Sequence, residues 1–225
     1  MSLRAALRTS LTDFYFNSWR LAPANLAWGA VLILAVVAGL LTIVGVALLI
    51  VLAVPTAGLY RMGALIARGE PAAFSDFLDG MRRFGAAAVL VGGAAAILAI
   101  VFATNVAVGF SAGNPIGWVI SAMALWGLVG LVMLLVAFWP VLVDPERQGI
   151  GLRRRLALAG LVVIGRPARM IILTATIAFI LIVSTILFAA LVLMSVAYVA
   201  LVSARVVLPL VDEVEARLPE GRVPG

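Results

Sequence analysis

The chain has 225 residues, 65% apolar and only 12% charged, with 16 arginines against 10 acids and no lysine, histidine or cysteine. Soluble domains hold about 45–50% apolar and about 25% charged residues, so this surplus needs a bilayer as its solvent. The missing residue types exclude disulfides, thiolate and imidazole metal ligation and Schiff-base chemistry, and no run alternates as a barrel strand does.

What remains is an all-α protein, a polytopic transmembrane bundle within a single integral membrane domain over 1–225. Residues 2–19 place Leu3, Leu7, Leu11 and Phe14 at helical steps, with Arg4 and Arg8 elsewhere on the wheel. This predicts an amphipathic helix lying in the interface or packed on the ends of the bundle. Ala22 to Gly58 then runs 37 residues without a charge. As one helix it would measure about 55 Å, nearly twice the hydrocarbon core. The cluster Gly39 to Gly45 divides it into a first hairpin over 24–67, with spans at 24–41 and 45–67. Pro55 either kinks the second span or starts a helix there.

Residues 70–84 carry Phe74, Phe77, Leu78, Met81 and Phe84 on one helix face among interleaved charges, the pattern of a second interfacial helix. A second hairpin follows over 86–139. Gly92 and Gly93 give it a small-residue face, residues 111–115 (SAGNP) a turn, and Trp118 and Trp139 two belt positions. Pro140 and Pro145 bracket its stop. The basic segment 144–169 holds six arginines around an apolar run too short to cross, Leu156 to Ile164. Met170 to Ala204 is again too long for one span and divides near 187–190, making a third hairpin over 170–211 that ends at Pro209. An acidic tail, 212–225, closes the chain.

With six spans, all sixteen arginines fall on one side of the membrane; a single long span over 22–58 would give five spans and move three of them across. The excess of arginine on one side predicts six spans with both termini cytoplasmic. Topology also explains the net charge of +6 better than nucleic acid does.

Several stretches resemble the YesL-like family of bacterial integral membrane proteins, a domain of unknown function. They are Asn25-Leu26-Ala27-Trp28 before the first span, Pro55 to Tyr60, Arg68-Gly69-Glu70, Phe74-Ser75-Asp76-Phe77, and Phe138-Trp139-Pro140 with Asp144-Pro145. The resemblance implies a bacterial inner-membrane protein, often associated with carbohydrate ABC importers, and implies no established activity.

The residues offer few candidates for chemistry. Arg61 and Arg205 are the charged groups inside expected spans, and Asn105 with Thr104 is a polar pair well inside the second hairpin. Snorkelling anchors or helix glue are the plain readings; the sharper one pairs Arg61 or Arg205 with Asp144, or lets Asn105 line a polar path. Asp76, Asp79, Arg82 and Arg83 form a solvated helix face or a partner-docking surface. No phosphate loop, dinucleotide fingerprint or nucleophile elbow occurs, so no catalytic, cofactor or metal residue is assigned. The expectation is a non-enzymatic accessory of a membrane transporter, such as a carbohydrate ABC importer. The alternative is a small homo-oligomeric carrier or channel. Expected partners are the lipid bilayer and either permease subunits or copies of the chain itself.

Overall fold

A computed structural model describes residues 3–41 and 50–217, and the described residues form helices and short connections with no strand. Seven longer helices among the described residues make up the bundle: α1 (Leu3–Leu41), α2 (Ala53–Ala67), α3 (Phe74–Ser111), α4 (Pro115–Val143), α5 (Leu152–Gly165), α6 (Pro167–Ile186) and α7 (Val196–Glu215). Among the described residues five helical stretches are long and apolar enough to cross a membrane: α1, α3, α4, α6 and the stretch from Phe188 to Glu215. The chain is a multi-pass membrane protein.

The expected break between an interfacial helix and a first span is absent. α1 is one helix of 39 residues with Pro23 inside it. Proline removes one backbone donor, and a long helix packed on neighbours tolerates that loss. Leu3 and Leu7 pack on the main core and Phe14 on a second cluster, whereas Leu11, expected on the same face, is exposed. α1 is described as far as Leu41, inside the predicted break over Gly39 to Gly45; residues 42–49, which hold the rest of that break and the start of the expected second span, lie outside the described residues.

α2 follows; Ile50 and Val51 before it are helical and Leu52 keeps helical backbone angles, so Pro55, the third residue of α2, stands just after an interruption in a helix rather than at a fresh start. Its 15 residues make about 22 Å, with those two helical residues before it. Twelve of them are buried, so α2 is the axis around which the others pack. Glycine sets how close they come. A Cβ on Gly58 would lie 2.6 Å from the Phe77 ring, and one on Gly80 would lie 2.9 Å from the Gly58 Cα. Farther along, Gly92 faces the Ala53 methyl. α2 and α3 thus run antiparallel with their backbones close together.

The interfacial helix expected over 70–84 is the first third of α3, continuous with the span that follows. Gly85 does not end it; it lets Val54 of α2 approach. Phe77 and Phe84 are buried, while Phe74 and Leu78 are well exposed. The 111–115 turn forms as expected: Gly113 takes a φ of +63°, and the Asn114 side chain accepts the Gly117 N–H at 2.8 Å to cap α4.

α5 is the short half-buried helix predicted for 156–164. The division near 187–190 is also present. α6 closes at Leu187, a three-residue turn and a π-helical stretch (Leu191–Ser195) follow, and α7 returns. Ser184 and Ser195 meet across this reversal at 2.6 Å. Pro209, expected to end the last helix, lies inside α7, which continues to Glu215.

Candidate functional site

The helix ends α2, α4 and α7 converge on a cluster of charges. Asp144 caps α4 with its side chain fully buried. Arg68, immediately after α2, grips it at 2.8 Å and reaches Asp212 at 2.7 Å and Glu146 at 3.1 Å. Arg147, on a 3-10 turn over Pro145–Arg147, binds Asp144 from the other side and also reaches Asp212 at 2.5 Å and Glu215 at 2.6 Å. Two arginines therefore sit among four carboxylates and join three helices that are distant in sequence.

The electrostatics follow from this arrangement. The Asp212 carboxylate, supported by Asp144, holds the Arg68 pKa well above the ordinary arginine value although burial opposes it. Burial also pulls Arg147 down, but the carboxylates of Asp212 and Glu215 outweigh it and the net direction is up. Both cations stay charged at any accessible pH.

The carbonyls at the end of α4 are capped by two more arginines. Arg61 of α2 is buried and donates to Val143 O at 2.9 Å. Arg155 of α5 donates to Leu142 O and, at 2.7 Å, to Arg147 O. Free carbonyls and the negative end of a helix dipole both favour a guanidinium here. Burial lowers the Arg155 pKa, and nearby Asp144 opposes that. Arg61 is thus neither a snorkelling anchor nor the partner of Asp144. Its neighbour two turns on, Arg68, takes that place.

Arg205 likewise leaves Asp144 to others and pairs with Asp13 of α1. In the predicted docking group, Asp76 is spent on the α3 terminus, accepting the Ala73 N–H at 2.7 Å. Asp79 and Arg83 form the expected i,i+4 pair at 2.9 Å, and Arg83 also reaches Gln148. Arg82 is exposed.

Asn25 has a role that its spacing gave no sign of. It is fully buried, donates to Leu191 O and Val192 O at 2.9 and 2.7 Å, and accepts the Ala197 N–H at 2.7 Å. A π-helical stretch breaks the regular hydrogen-bond ladder, and one carboxamide fills the gap. Three residues on, Trp28 donates to Thr56 of α2 at 2.9 Å. Only the resemblance had singled out this stretch, and it named no contact.

Asn105 is in a different setting. Beyond Ala95, the only buried residue of α3 is Gly109; before Met133, the buried residues of α4 are Gly117, Ser121 and Ala124. Gly109, Gly117 and Ser121 lie on the seam between these two helices, where Ser121 donates to Val106 O at 2.9 Å. The far half of the α3–α4 hairpin is therefore an arm packed only along its own seam. Its outer surface is apolar and includes Ile97, Ile100, Ile116, Met123 and Trp126. Asn105 and Thr104 are exposed on it, and Asn105 donates one N–H to Val101 O at 2.8 Å. Asn105 faces outward and lines no path through the bundle.

One apolar cavity of about 500 Å³ opens among α1, α2, α4, α6 and α7, with Trp28, Tyr60, Trp139 and Leu181 in its wall. Its dimensions suit a hydrocarbon chain or small apolar ligand. Among the described residues no group of three His, Cys, Asp or Glu side chains could hold a metal ion. The chain matches no protein-family model, no curated protein and no solved structure.

Proposed function

We propose that this chain is a non-enzymatic protein of the bacterial inner membrane that docks against the spans of a membrane transporter through the α3–α4 arm. The observation that carries the reading is Asn105. It stands on an outward apolar face with its side-chain oxygen and one N–H unused among the described residues. An unmet amide facing hydrocarbon is costly, and a helix from another protein relieves that cost by hydrogen bonding to it. The flanking alanines Ala103 and Ala107, also exposed, let such a helix come close.

The YesL-like motifs support a carbohydrate ABC importer as the class of partner. The gathering of Arg68, Arg147 and Arg155 at one end of the bundle supports a cytoplasmic position for that end and for both termini.

A photo-crosslinking residue at position 105, with a control at the equally outward Ile164 of α5, tests the docking in native membranes. Adducts with transporter subunits at 105 and not at 164 support it. Adducts only between copies of this chain would replace it with the homo-oligomeric carrier, and no adduct above control would overturn it.

A further inference from the structure

Where α1 begins, α6 begins and α7 makes its last turns, Arg169 and Arg205 line a pocket of about 210 Å³ whose other walls include Leu3, Ile172, Pro209 and Leu210. Arg205 binds Asp13 through one terminal nitrogen, but its Nε is buried with no hydrogen-bond partner. The Arg169 side chain is exposed and enters no ion pair among the described residues. Glu213 also lines the pocket, held by Arg166 at 3.0 Å. Three arginines against Asp13 and Glu213 leave one positive charge unbalanced.

From this we infer that the pocket binds the phosphate of an anionic membrane lipid. A buried guanidinium N–H without an acceptor is an unmet donor, and a phosphate oxygen is the acceptor that two arginines would share. The apolar walls favour a phosphodiester that carries acyl chains over a free anion. Ile171 and Ile172 are both about half exposed beside the pocket and continue into the lipid-facing surface of α6, where the chains lie. The site is separate from the α3–α4 arm and does not depend on the docking proposed for it.

Native mass spectrometry of the full chain, released from micelles holding equal phosphatidylglycerol and phosphatidylcholine, tests the inference. Phosphatidylglycerol should be retained preferentially. Arg169→Gln should lower its retention about fivefold, the size of one arginine–lipid contact. Arg205→Lys keeps a cation for Asp13 but removes Nε, and should lower retention as well. Arg82→Gln, which removes an exposed charge on α3, a helix that contributes nothing to the pocket lining, should change nothing. Displacement of the lipid by excess inorganic phosphate would make a soluble anion the ligand and overturn the lipid assignment. Equal retention of both lipids, or full retention by Arg169→Gln, would overturn the site itself.

Discussion

The Asn25 side-chain oxygen accepts the Ala197 N–H at 2.7 Å, so the first helix of the chain completes the hydrogen bonding of the last. Its amide nitrogen serves Leu191 and Val192 at the same time. Removing the side chain leaves one donor and two acceptors unmet in an apolar interior. Asn25→Ala should cost about 2 kcal/mol, read from chemical unfolding in detergent. Asn25→Asp should cost more, because a carboxylate would face two carbonyls. Equal stability of Asn25→Ala and wild type would show that this contact does not hold the π-helical stretch.

Asp144 is buried between Arg68 and Arg147, whereas Asp79 shares an exposed pair with Arg83. Breaking a buried ion pair costs about 3–5 kcal/mol; an exposed one contributes less than about 1 kcal/mol. Asp144→Asn should therefore destabilise strongly and Asp79→Asn barely. Thermal melts of the two variants side by side decide this.

The pH response of the same cluster has a definite sign. The folded-state pKa of Arg68 is raised, so the stability it contributes is complete below the unfolded value and is lost only as pH rises past the folded one. That lies beyond any usable buffer. The melting temperature should hold level up to about pH 10, and loss of stability should come from the acid side, where the carboxylates take up protons. A decline between neutral pH and pH 10 that Arg68→Met abolishes would contradict this.

Helix spacing can be tested at two glycines. A methyl at Gly80 would meet Arg61 Cβ at 2.8 Å and Gly58 Cα at 2.9 Å, while Gly160 of α5 has open space around it. Gly80→Ala should cost about 1–3 kcal/mol by forcing α2 and α3 apart. Gly160→Ala should be neutral or gain up to about 1 kcal/mol of helix propensity.

The absence of cysteine makes membrane topology directly measurable. Single cysteines at Ala112, between α3 and α4, and at Gln148, after α4, should label from opposite faces. A cysteine at Arg217 should label with the one at Gln148. If Ala112 and Gln148 react from the same face, the α3–α4 hairpin does not span.

The membrane class, the 111–115 turn and the reversal near 187 were legible because each rests on local chemistry or on length. Asn114 before Pro115 is a capping signal, and 35 uncharged residues from Met170 cannot cross once. The continuity of α1 was not legible: Trp19, Arg20 and Pro23 look like a boundary, and only packing on α2 and α7 carries the helix through them. Arg61 and Arg68 lie two turns apart on one helix face, so spacing alone could not tell which meets Asp144. The role of Asn25 depends on a π-helical stretch about 170 residues away, whose residues carry no mark of that geometry. Asn105 was identified as polar within a span, but which way it faces is a property of the assembled hairpin.

The three-helix charge cluster also sets an order of events during synthesis. Arg68, Asp144, Glu146 and Arg147 are all made with the first four helices, and until α7 follows the two cations share Asp144, with Glu146 as a second carboxylate on Arg68. Asp212 and Glu215 are made after the other members of the cluster, and their arrival completes its ion pairs. A chain that stops before residue 212 lacks two of the four carboxylates that hold Arg68 and Arg147, so the ends of α2 and α4 are joined to each other but not to α7.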